Sequence, residues 1–298
     1  MSIGLLLGLV AAVCWGSTDV TAALSSRRLG SLRVAAVLQL TSLVVVVALC
    51  VLRSSGLPAR PEDTLAAVIN GAIAAIAYLS FFTALRIGPV SVVSPVVAAY
   101  GGLTVVLAVV LRGETLEPLQ ALGAAVATIG VILTGLVSDG GVRGARIVGR
   151  GVLFGVVALV CFAVLTIGLA GPIRSAGWLP VLFASRTANA ATVWVVLAVV
   201  MARPRIAGPL LEPGTGPTVA RRTAIAVAIA GGLLDIAGFV AFAIGLEAAP
   251  TWIVGLASSF GPVVPVLVAV LVWGERLRPN QWLGLVGIAA GLVAVALP

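Results

Sequence analysis

Long apolar segments, separated by short junctions rich in Gly, Pro and Arg, constrain the fold of this chain more than any other feature. Apolar residues make up 61% of the chain and charged residues 9%, whereas soluble domains carry about 25% charged residues. A water-soluble fold cannot bury that much apolar surface. A bilayer tolerates it if every backbone polar group is satisfied within helices or a closed barrel. The length of the segments selects helices, so the sequence predicts an all-α integral membrane protein.

Ten apolar segments are long enough to cross the hydrocarbon core of a bilayer, which is about 30 Å thick and takes roughly 17–25 helical residues. Their predicted limits are 3–23, 33–52, 64–85, 90–111, 118–137, 148–170, 179–201, 222–246, 251–273 and 280–297. No positively charged stretch precedes the first segment, so we interpret it as a retained helix rather than a signal peptide. These segments predict a multi-pass protein with ten transmembrane helices.

Two parts of the sequence repeat each other. The run RGETLEP, which begins at Arg112, matches the run WGERLRP, which begins at Trp273, at an offset of 161 residues. At another offset, the run GLVAAVCW from Gly8 resembles the run GVVALVCF from Gly155. Because each copy contains five spans, an odd number, the second copy must enter the membrane from the opposite side. The sequence therefore predicts a single membrane domain made of two inverted five-helix repeats, residues 1–140 and 148–298.

Inverted repeats are the usual architecture of secondary transporters, whose substrate site lies near the middle of the membrane between the halves. The duplicated turns Gly113-Glu114 and Gly274-Glu275 are each followed by Pro, Gln and a Gly-spaced helix. Together with the ten spans, these turns make nearly the whole chain resemble the EamA-like ten-helix branch of the drug/metabolite transporter superfamily. The resemblance implies a cavity lined by helices one to four and six to nine, with helices five and ten packing the halves together. It also implies export or exchange of amino acids, sugars, nucleotide-related metabolites or drugs, often with proton coupling.

Three ionisable residues inside the spans are candidates for function: Asp19, Arg186 and Asp235. A charge within the membrane is costly unless it is paired or faces water. With a rise of about 1.5 Å per residue, Asp235 lies near the middle of its span, Arg186 roughly 6 Å from the middle and Asp19 roughly 9 Å from it. Asp235 and Asp19 are candidate proton carriers, and Arg186 is a candidate partner of Asp235 or of a substrate carboxylate. A purely structural Arg186–Asp235 ion pair is the alternative.

Interrupted helices and aromatic side chains supply the remaining candidates. Helices four and nine correspond in the repeat, both contain Ser and Pro, and broken helices provide ligands at membrane depth. Aromatic residues within spans offer walls for an organic solute. The candidates of these two kinds are Trp15, Tyr78, Ser94, Tyr100, Phe162, Ser258 and Ser259. Packing kinks and interfacial anchors are the alternative explanations. The interfacial role is expected of Trp178, Trp252, Trp273 and Trp282.

Two repeated features are predicted to be structural. Glu114 and Glu275 fall at span ends, where each can hold a tight turn or cap the next helix. The spacings of Gly123 and Gly130, and of their counterparts in the last span, allow close approach between helices.

The composition excludes several kinds of chemistry. All 18 basic residues are Arg, and neither Lys nor His occurs in the chain. The absence of His removes the commonest metal ligand and acid–base group, and the absence of Lys excludes a P-loop. The three Cys residues fall in apolar segments, where they behave as small hydrophobic residues, so neither disulfides, a metal site nor a cofactor is predicted. The Arg residues are dispersed, which argues against nucleic-acid binding despite the net charge of +8.

Orientation in the membrane is left open by two opposing observations. With a cytoplasmic N-terminus, four Arg would lie in inside loops and thirteen in outside loops. The positive-inside rule therefore favours both termini outside. The family resemblance implies cytoplasmic termini.

The sequence predicts a secondary active transporter, either an exporter or an exchanger, in a bacterial inner membrane. Its expected partners are a small organic solute, such as an amino acid or related metabolite, and the lipid bilayer. The chain is expected to act as a monomer or weak homodimer. A lipid or drug translocase or scramblase is the alternative. An integral membrane enzyme is a weaker alternative, because such enzymes gather acids, His or Cys around one centre, whereas this chain has single, scattered acids.

Overall fold

The computed structural model describes residues 3–87, 96–135, 150–202, 219–264, 267–268 and 279–297. Helices dominate these ranges, and no strand occurs within them. In chain order the helices are α1 (Ile3–Leu29), α2 (Ser31–Leu52), α3 (Pro61–Ile87), α4 (Tyr100–Arg112), α5 (Pro118–Gly135), α6 (Arg150–Ala176), α7 (Trp178–Ala202), α8 (Arg221–Ala248), α9 (Thr251–Ser258) and α10 (Pro279–Ala296). The predicted all-α class is confirmed.

Within the described ranges, seven helices are long and apolar enough to cross a bilayer, namely α1, α2, α3, α6, α7, α8 and α10. Two further apolar helices, Val96–Arg112 and Pro118–Leu133, are shorter. Large apolar side chains cover the outward faces, where Val51 and Leu283 are largely exposed. Helices satisfy their own backbone groups, which is what a lipid environment requires. The chain is a multi-pass membrane protein.

Helices α1 and α6 extend well beyond their predicted ends at residues 23 and 170. Polar residues in the extra turns stay helical because their hydroxyls bond to earlier carbonyls, as Ser25 does to Thr21 at 2.7 Å. Each of the two helices is followed by a glycine, Gly30 or Gly177, with a φ of 83°. That left-handed conformation is accessible to glycine at little cost, so the two glycines set the true helix ends.

Helix α9 ends at Ser258, and a non-helical turn follows over residues 259–262. There the amide of Ser259 donates to the carbonyl of Leu256, three residues back, at 3.1 Å. That spacing is tighter than the α-helical one. The predicted interruption of the ninth span is present. The corresponding segment of the fourth span, with Ser94, and the second Gly-Glu turn lie outside the described residues.

The helices pack in pairs that join the two halves of the chain. α1 packs along α8, and α3 packs along α6. α2 contacts α7 and α8, while α3 also contacts α7. α9 contacts α1 and α4, and α4 contacts α6. The interior of the bundle is therefore lined by residues from both halves.

Glycines allow α5 and α10 to pack nearly backbone to backbone. A Cβ on Gly130 would lie 2.7 Å from the carbonyl oxygen of Gly284, and a Cβ on Gly291 would lie 2.6 Å from that of Gly123. A side chain at any of these contacts would push the helices apart, so the small residues permit the approach. The predicted close contact between Gly-spaced helices is present.

Candidate functional site

Arg186 of α7 and Asp235 of α8 form an ion pair in the interior of the bundle. Nη1 of Arg186 lies 3.5 Å from Oδ2 of Asp235, and the two side chains are 0% and 2% exposed. A lone charge at such a site would lose most of its hydration, so each group requires the other or another partner. The pairing that the sequence left open is therefore present in the structure.

Three further helices supply hydrogen bonds to Asp235. Ser42 of α2 donates to Oδ2 at 2.8 Å, and Tyr78 of α3 donates to Oδ1 at 3.1 Å. The indole Nε1 of Trp15, in α1, donates to the backbone carbonyl of Asp235 at 3.3 Å. Both carboxylate oxygens are hydrogen-bonded. One residue of the second half thus holds side chains from the first three helices of the first half.

Gln39 and Ser42 belong to this site, although neither was predicted from the sequence. Oε1 of Gln39 lies 3.5 Å from Nη1 of Arg186, and both polar side chains of α2 are buried. They are three residues apart, so they share one face of the helix. Two polar residues at helical spacing within an apolar span were the sequence signal that could have identified them.

Aromatic rings surround the charged pair. The ring of Phe239 lies 3.6 Å from Cζ of Arg186, which is a cation–π contact. The ring of Trp15 packs against Phe239 at a centroid distance of 4.8 Å and against Phe242 at 5.3 Å. The two Phe residues were not predicted, because a Phe in an apolar span cannot be told from a core residue by sequence.

A series of contacts connects the charged pair to the interrupted helix α9. The ring of Tyr78 lies 5.6 Å from that of Phe162, which lies 5.7 Å from that of Tyr100. The hydroxyl of Tyr100 lies 3.2 Å from Oγ of Ser258. The structure thus brings these four candidates together. Ser259 is also buried, but its hydroxyl donates to a backbone carbonyl three residues earlier.

Asp19 of α1 is half-buried and lies close enough to Asp235, Tyr78 and Tyr100 for its charge to act on each. No described residue donates a hydrogen bond to it. Because α1 continues to Leu29, Asp19 lies about 5 Å from the helix middle. The predicted distance of 9 Å was wrong for that reason.

Several buried polar atoms have no hydrogen-bond partner within the described residues. Two of them belong to Arg186, whose Nε and Nη2 are unpaired. Others belong to Asn70, Ser185 and Asn189, in α3 and α7. Buried polar groups are nearly always satisfied in folded proteins. The described residues alone therefore leave these atoms unsatisfied.

The sequence model of the EamA-like transporter family matches residues 2–136. The first half of this chain belongs to the EamA-like transporter family. The predicted family, within the drug/metabolite transporter superfamily, is confirmed. EamA-like proteins form a transporter family and not an enzyme family.

The fold of this chain is shared with a protein of known crystal structure. The two chains are 21% identical, and the similarity covers 98% of this chain and 96% of the other, with a TM-score of 0.78. At that identity the likeness shows the fold alone. No curated protein sequence matches the chain.

Glu114, in the EamA-like turn between α4 and α5, caps a helix of the other half. Its Oε1 accepts a hydrogen bond from the amide of Thr251 and its Oε2 one from the amide of Trp252, both at 3.0 Å. Burial raises the pKa of Glu114. The hydrogen bonds from Thr251 and Trp252 and the charge of Arg174, 3.5 Å away, outweigh burial and lower this pKa below its ordinary value. The cap is therefore on α9 and not on α5, the next helix. Trp252 is 3% exposed and packs in the core, so its predicted interfacial role was wrong.

The described part of the chain contains no group of three or more His, Cys, Asp or Glu side chains that could hold a metal ion. Its three cysteines are free thiols. An open groove of about 410 Å³ lies outside the site, between α1, α2 and α8, and only apolar side chains such as Leu7, Val45 and Val240 line it. Such a groove can hold an acyl chain, but it offers nothing to a lipid headgroup.

Proposed function

We propose that this EamA-like protein is a secondary active transporter, an exporter or exchanger, that moves small organic solutes by alternating access. The observation that carries the proposal is the Arg186–Asp235 pair, which is buried where helices of both halves meet. Ionisable groups at membrane depth are costly, and in membrane proteins they mark solute and ion pathways. The EamA-like family of the first half supports the same function.

The proposed solute site extends from the charged pair along Tyr78, Phe162 and Tyr100 to Ser258. Aromatic walls with few fixed charges suit amino acids with apolar side chains and related metabolites. The proposed transport unit is a monomer or a weak homodimer. We place the protein in a bacterial inner membrane, where proton gradients are available to drive such transport.

The packing of the helices supports ten transmembrane helices arranged as two inverted repeats. In such an arrangement each helix of α1–α5 corresponds to the helix five places later in α6–α10. The counterpart of the contact between α1 and α8 is therefore the contact between α6 and α3, and both contacts are present. The contact of α2 with α8 likewise has its counterpart in that of α7 with α3. The contact of α1 with α9 has its counterpart in that of α6 with α4. In the pairs α2 with α7 and α5 with α10, the two helices in contact are each other's counterparts. Such pairs are expected to lie on the two-fold axis that relates inverted repeats.

Contacts of individual glycines support the same arrangement. A Cβ on Gly71 would overlap the carbonyl oxygen of Ser185, and a Cβ on Gly232 would lie 2.9 Å from that of Leu38. Gly71 and Gly232 are 161 residues apart, which is the offset of the repeated turns. Leu38 and Ser185 are 147 residues apart, which is the offset of the repeated opening helices. Duplicated halves are expected to give matching contacts at matching positions.

Asp235 and Asp19 are the proposed proton carriers. A carboxyl group that exchanges a protein partner for a proton can couple proton movement to solute movement. Asp235 has such a partner in Arg186. Asp19 has no hydrogen-bond donor among the described residues, so it is available to a proton or to a cationic group of the solute.

Uptake into proteoliposomes, with and without an imposed pH gradient, tests the proposal. A panel of labelled amino acids and metabolites is offered to the unaltered protein and to Asp235→Asn, with Glu62→Gln as the control because Glu62 is exposed in the first turn of α3. We expect gradient-dependent uptake that Asp235→Asn abolishes and Glu62→Gln retains. Equal transport by Asp235→Asn between about pH 5 and 8 would exclude Asp235 as the coupling group. Lipid scrambling without uptake of any solute would overturn the transporter proposal.

A further inference from the structure

Polar contacts join the two halves at one end of the bundle, where α4, α6 and α8 finish and α9 begins. Glu114, in the turn after α4, accepts hydrogen bonds from the first two amides of α9, and its Oε1 lies 3.5 Å from Nη2 of Arg174. We call this end of the bundle the Glu114 face. We call the set of Glu114, Arg174 and the amides of Thr251 and Trp252 the latch. Glu114 belongs to the first half of the chain and the other three residues belong to the second.

Arg174, in the last turn of α6, fixes the start of α9 from the second half. Its Nε donates to the carbonyl of Leu246 at 3.1 Å, and its Nη2 donates to the carbonyl of Ala249 at 2.9 Å and to Oγ1 of Thr251 at 3.2 Å. These bonds join the end of α8 to the start of α9. Because the guanidinium also attracts Glu114, one cation holds three helices and the turn after α4 together.

Two further hydrogen bonds join the halves at the Glu114 face. Oγ of Ser175, in the last turn of α6, donates to Oδ1 of Asp63, in the first turn of α3, at 2.8 Å. Nη1 of Arg112, at the end of α4, donates to the carbonyl of Ile167 in α6 at 3.3 Å. These bonds and those of the latch are all made between groups of the protein. The halves are therefore held together at this face without a bound solute.

Helix α9 separates the Glu114 face from the proposed solute site. A groove of about 520 Å³ opens on this face, and Glu114, Arg174 and Glu247 are among its lining residues. None of the described residues that line the groove belongs to the proposed solute site. Behind the latch, every residue of α9 from Thr251 to Ser258 is buried. Because Ser258 belongs to the solute site, about 10 Å of packed helix lies between that site and the latch.

The other end of α9 provides a hinge. The non-helical turn over residues 259–262 follows the helix and contains Gly261 and Pro262. Pro262 has no amide hydrogen with which to continue the helical bonding, and a few residues at the end of an element are enough to absorb a change of direction. We propose that the latch is the gate of the Glu114 face. While the latch is formed, α9 blocks the route from Ser258 to that face; when the latch breaks, α9 moves away about the turn. This inference rests on the proposed transport function.

Labelling of a cysteine in the solute site from each side of the membrane tests the gate. The three native cysteines are replaced by Ala, and Ser258→Cys is introduced as the reporter. Right-side-out and inverted membrane vesicles are prepared, and a membrane-impermeant trimethylammonium methanethiosulfonate is added outside. Gly56→Cys, made separately, identifies the vesicles that expose the Glu114 face, because Gly56 is exposed in the loop that leads to α3 at that face.

Glu114→Gln weakens the latch, because it removes the charge and presents an NH₂ group to one of the two amides of α9. The reagent reaches the reporter only in protein that is open to its side, so the labelling rate follows the population of that state. From the Glu114 face we expect this rate to rise at least tenfold, which corresponds to about 1.4 kcal/mol. From the other face we expect no rise.

Two more variants make the test specific. Glu117→Gln is the matched control, because Glu117 is exposed in the same turn, and it is expected to keep the labelling rate of the unaltered latch. Arg174→Gln removes the bonds that hold the end of α8 and the start of α9, and it is expected to raise the rate from the Glu114 face as Glu114→Gln does. The test therefore does not depend on the folding of a single variant.

The outcomes distinguish the gate from the transport function. An unchanged labelling rate from the Glu114 face in both latch variants would overturn the gate. An equal rise from both faces would also overturn it, because that result would mean a general loosening of the bundle. If the unaltered protein takes up solute in proteoliposomes, either result leaves the transporter proposal intact. Absence of all uptake would refute the transporter proposal, and with it the role of the latch as a transport gate.

Discussion

The clearest energetic prediction concerns Glu114, which joins the turn of one half to a helix of the other. Glu114→Gln keeps one oxygen for the amide of Thr251 but presents an NH₂ group to the amide of Trp252, so one of the two hydrogen bonds to a charged acceptor is lost. Such a bond contributes about 1.5–3 kcal/mol, whereas the pair with Arg174, whose side chain is 35% exposed, contributes at most about 1 kcal/mol. We expect Glu114→Gln to lower the free energy of unfolding by about 2 kcal/mol.

Reversible unfolding by SDS in mixed micelles measures this loss. Glu117→Gln is the matched control, because Glu117 lies in the same turn with an exposed side chain and makes its hydrogen bonds through its backbone amide and carbonyl. Its effect is expected to stay within about 0.5 kcal/mol. Since the pKa of Glu114 is below its ordinary value of 4.5, its contribution is present at neutral pH and is lost as the pH falls below 4.5 towards the folded-state pKa. Equal effects of the two variants at neutral pH, or a difference that persists in acid, would refute this account of the cap.

Two further predictions use the same unfolding measurement. Asp235→Asn leaves Arg186 buried without its counter-charge and is expected to lower the free energy of unfolding by about 3–5 kcal/mol. The double variant with Arg186→Gln is expected to lose clearly less than the sum of the two single variants. Additive losses would mean that the pair is not coupled. Gly130→Ala places a methyl group against the carbonyl oxygen of Gly284 and is expected to cost about 1–3 kcal/mol, whereas Gly56→Ala, with no atom within 4 Å of the new methyl, is expected to change little. Equal effects of the two glycine variants would contradict the close packing of α5 and α10.

Much of the fold could be predicted because lipid imposes a simple rule on sequence. Long apolar runs predicted the helices and most of their limits. The C-terminal ends of α1 and α6 were predicted too early, because polar residues follow the apolar run in each helix. Ser25, for example, breaks an apolar pattern but not a helix, because its hydroxyl bonds within the helix itself. The helix ends at the next residue that can adopt a non-helical backbone conformation at low energetic cost. For α1 that residue is Gly30, with its positive φ.

The candidate site was only partly predictable, for a different reason. Charged and irregular positions such as Asp235, Arg186 and Ser258 stand out within apolar spans, so rarity alone identified them. Gln39 is polar but uncharged, and Phe239 is an ordinary residue for an apolar helix. Their membership depends on which helix faces which, and that information lies in packing between distant parts of the chain rather than in any local pattern.

The charged pair also makes the two halves unequal. At the repeat offsets, Arg186 corresponds to Gln39 and Asp235 corresponds to Ala74. One side of the proposed axis therefore holds an ion pair, and the other holds an amide and a methyl group. A transporter with identical halves would have inward-open and outward-open states of equal free energy, and this difference removes that equality. We expect the empty protein to rest mainly in one state and to require different solute concentrations for half-saturation at its two faces.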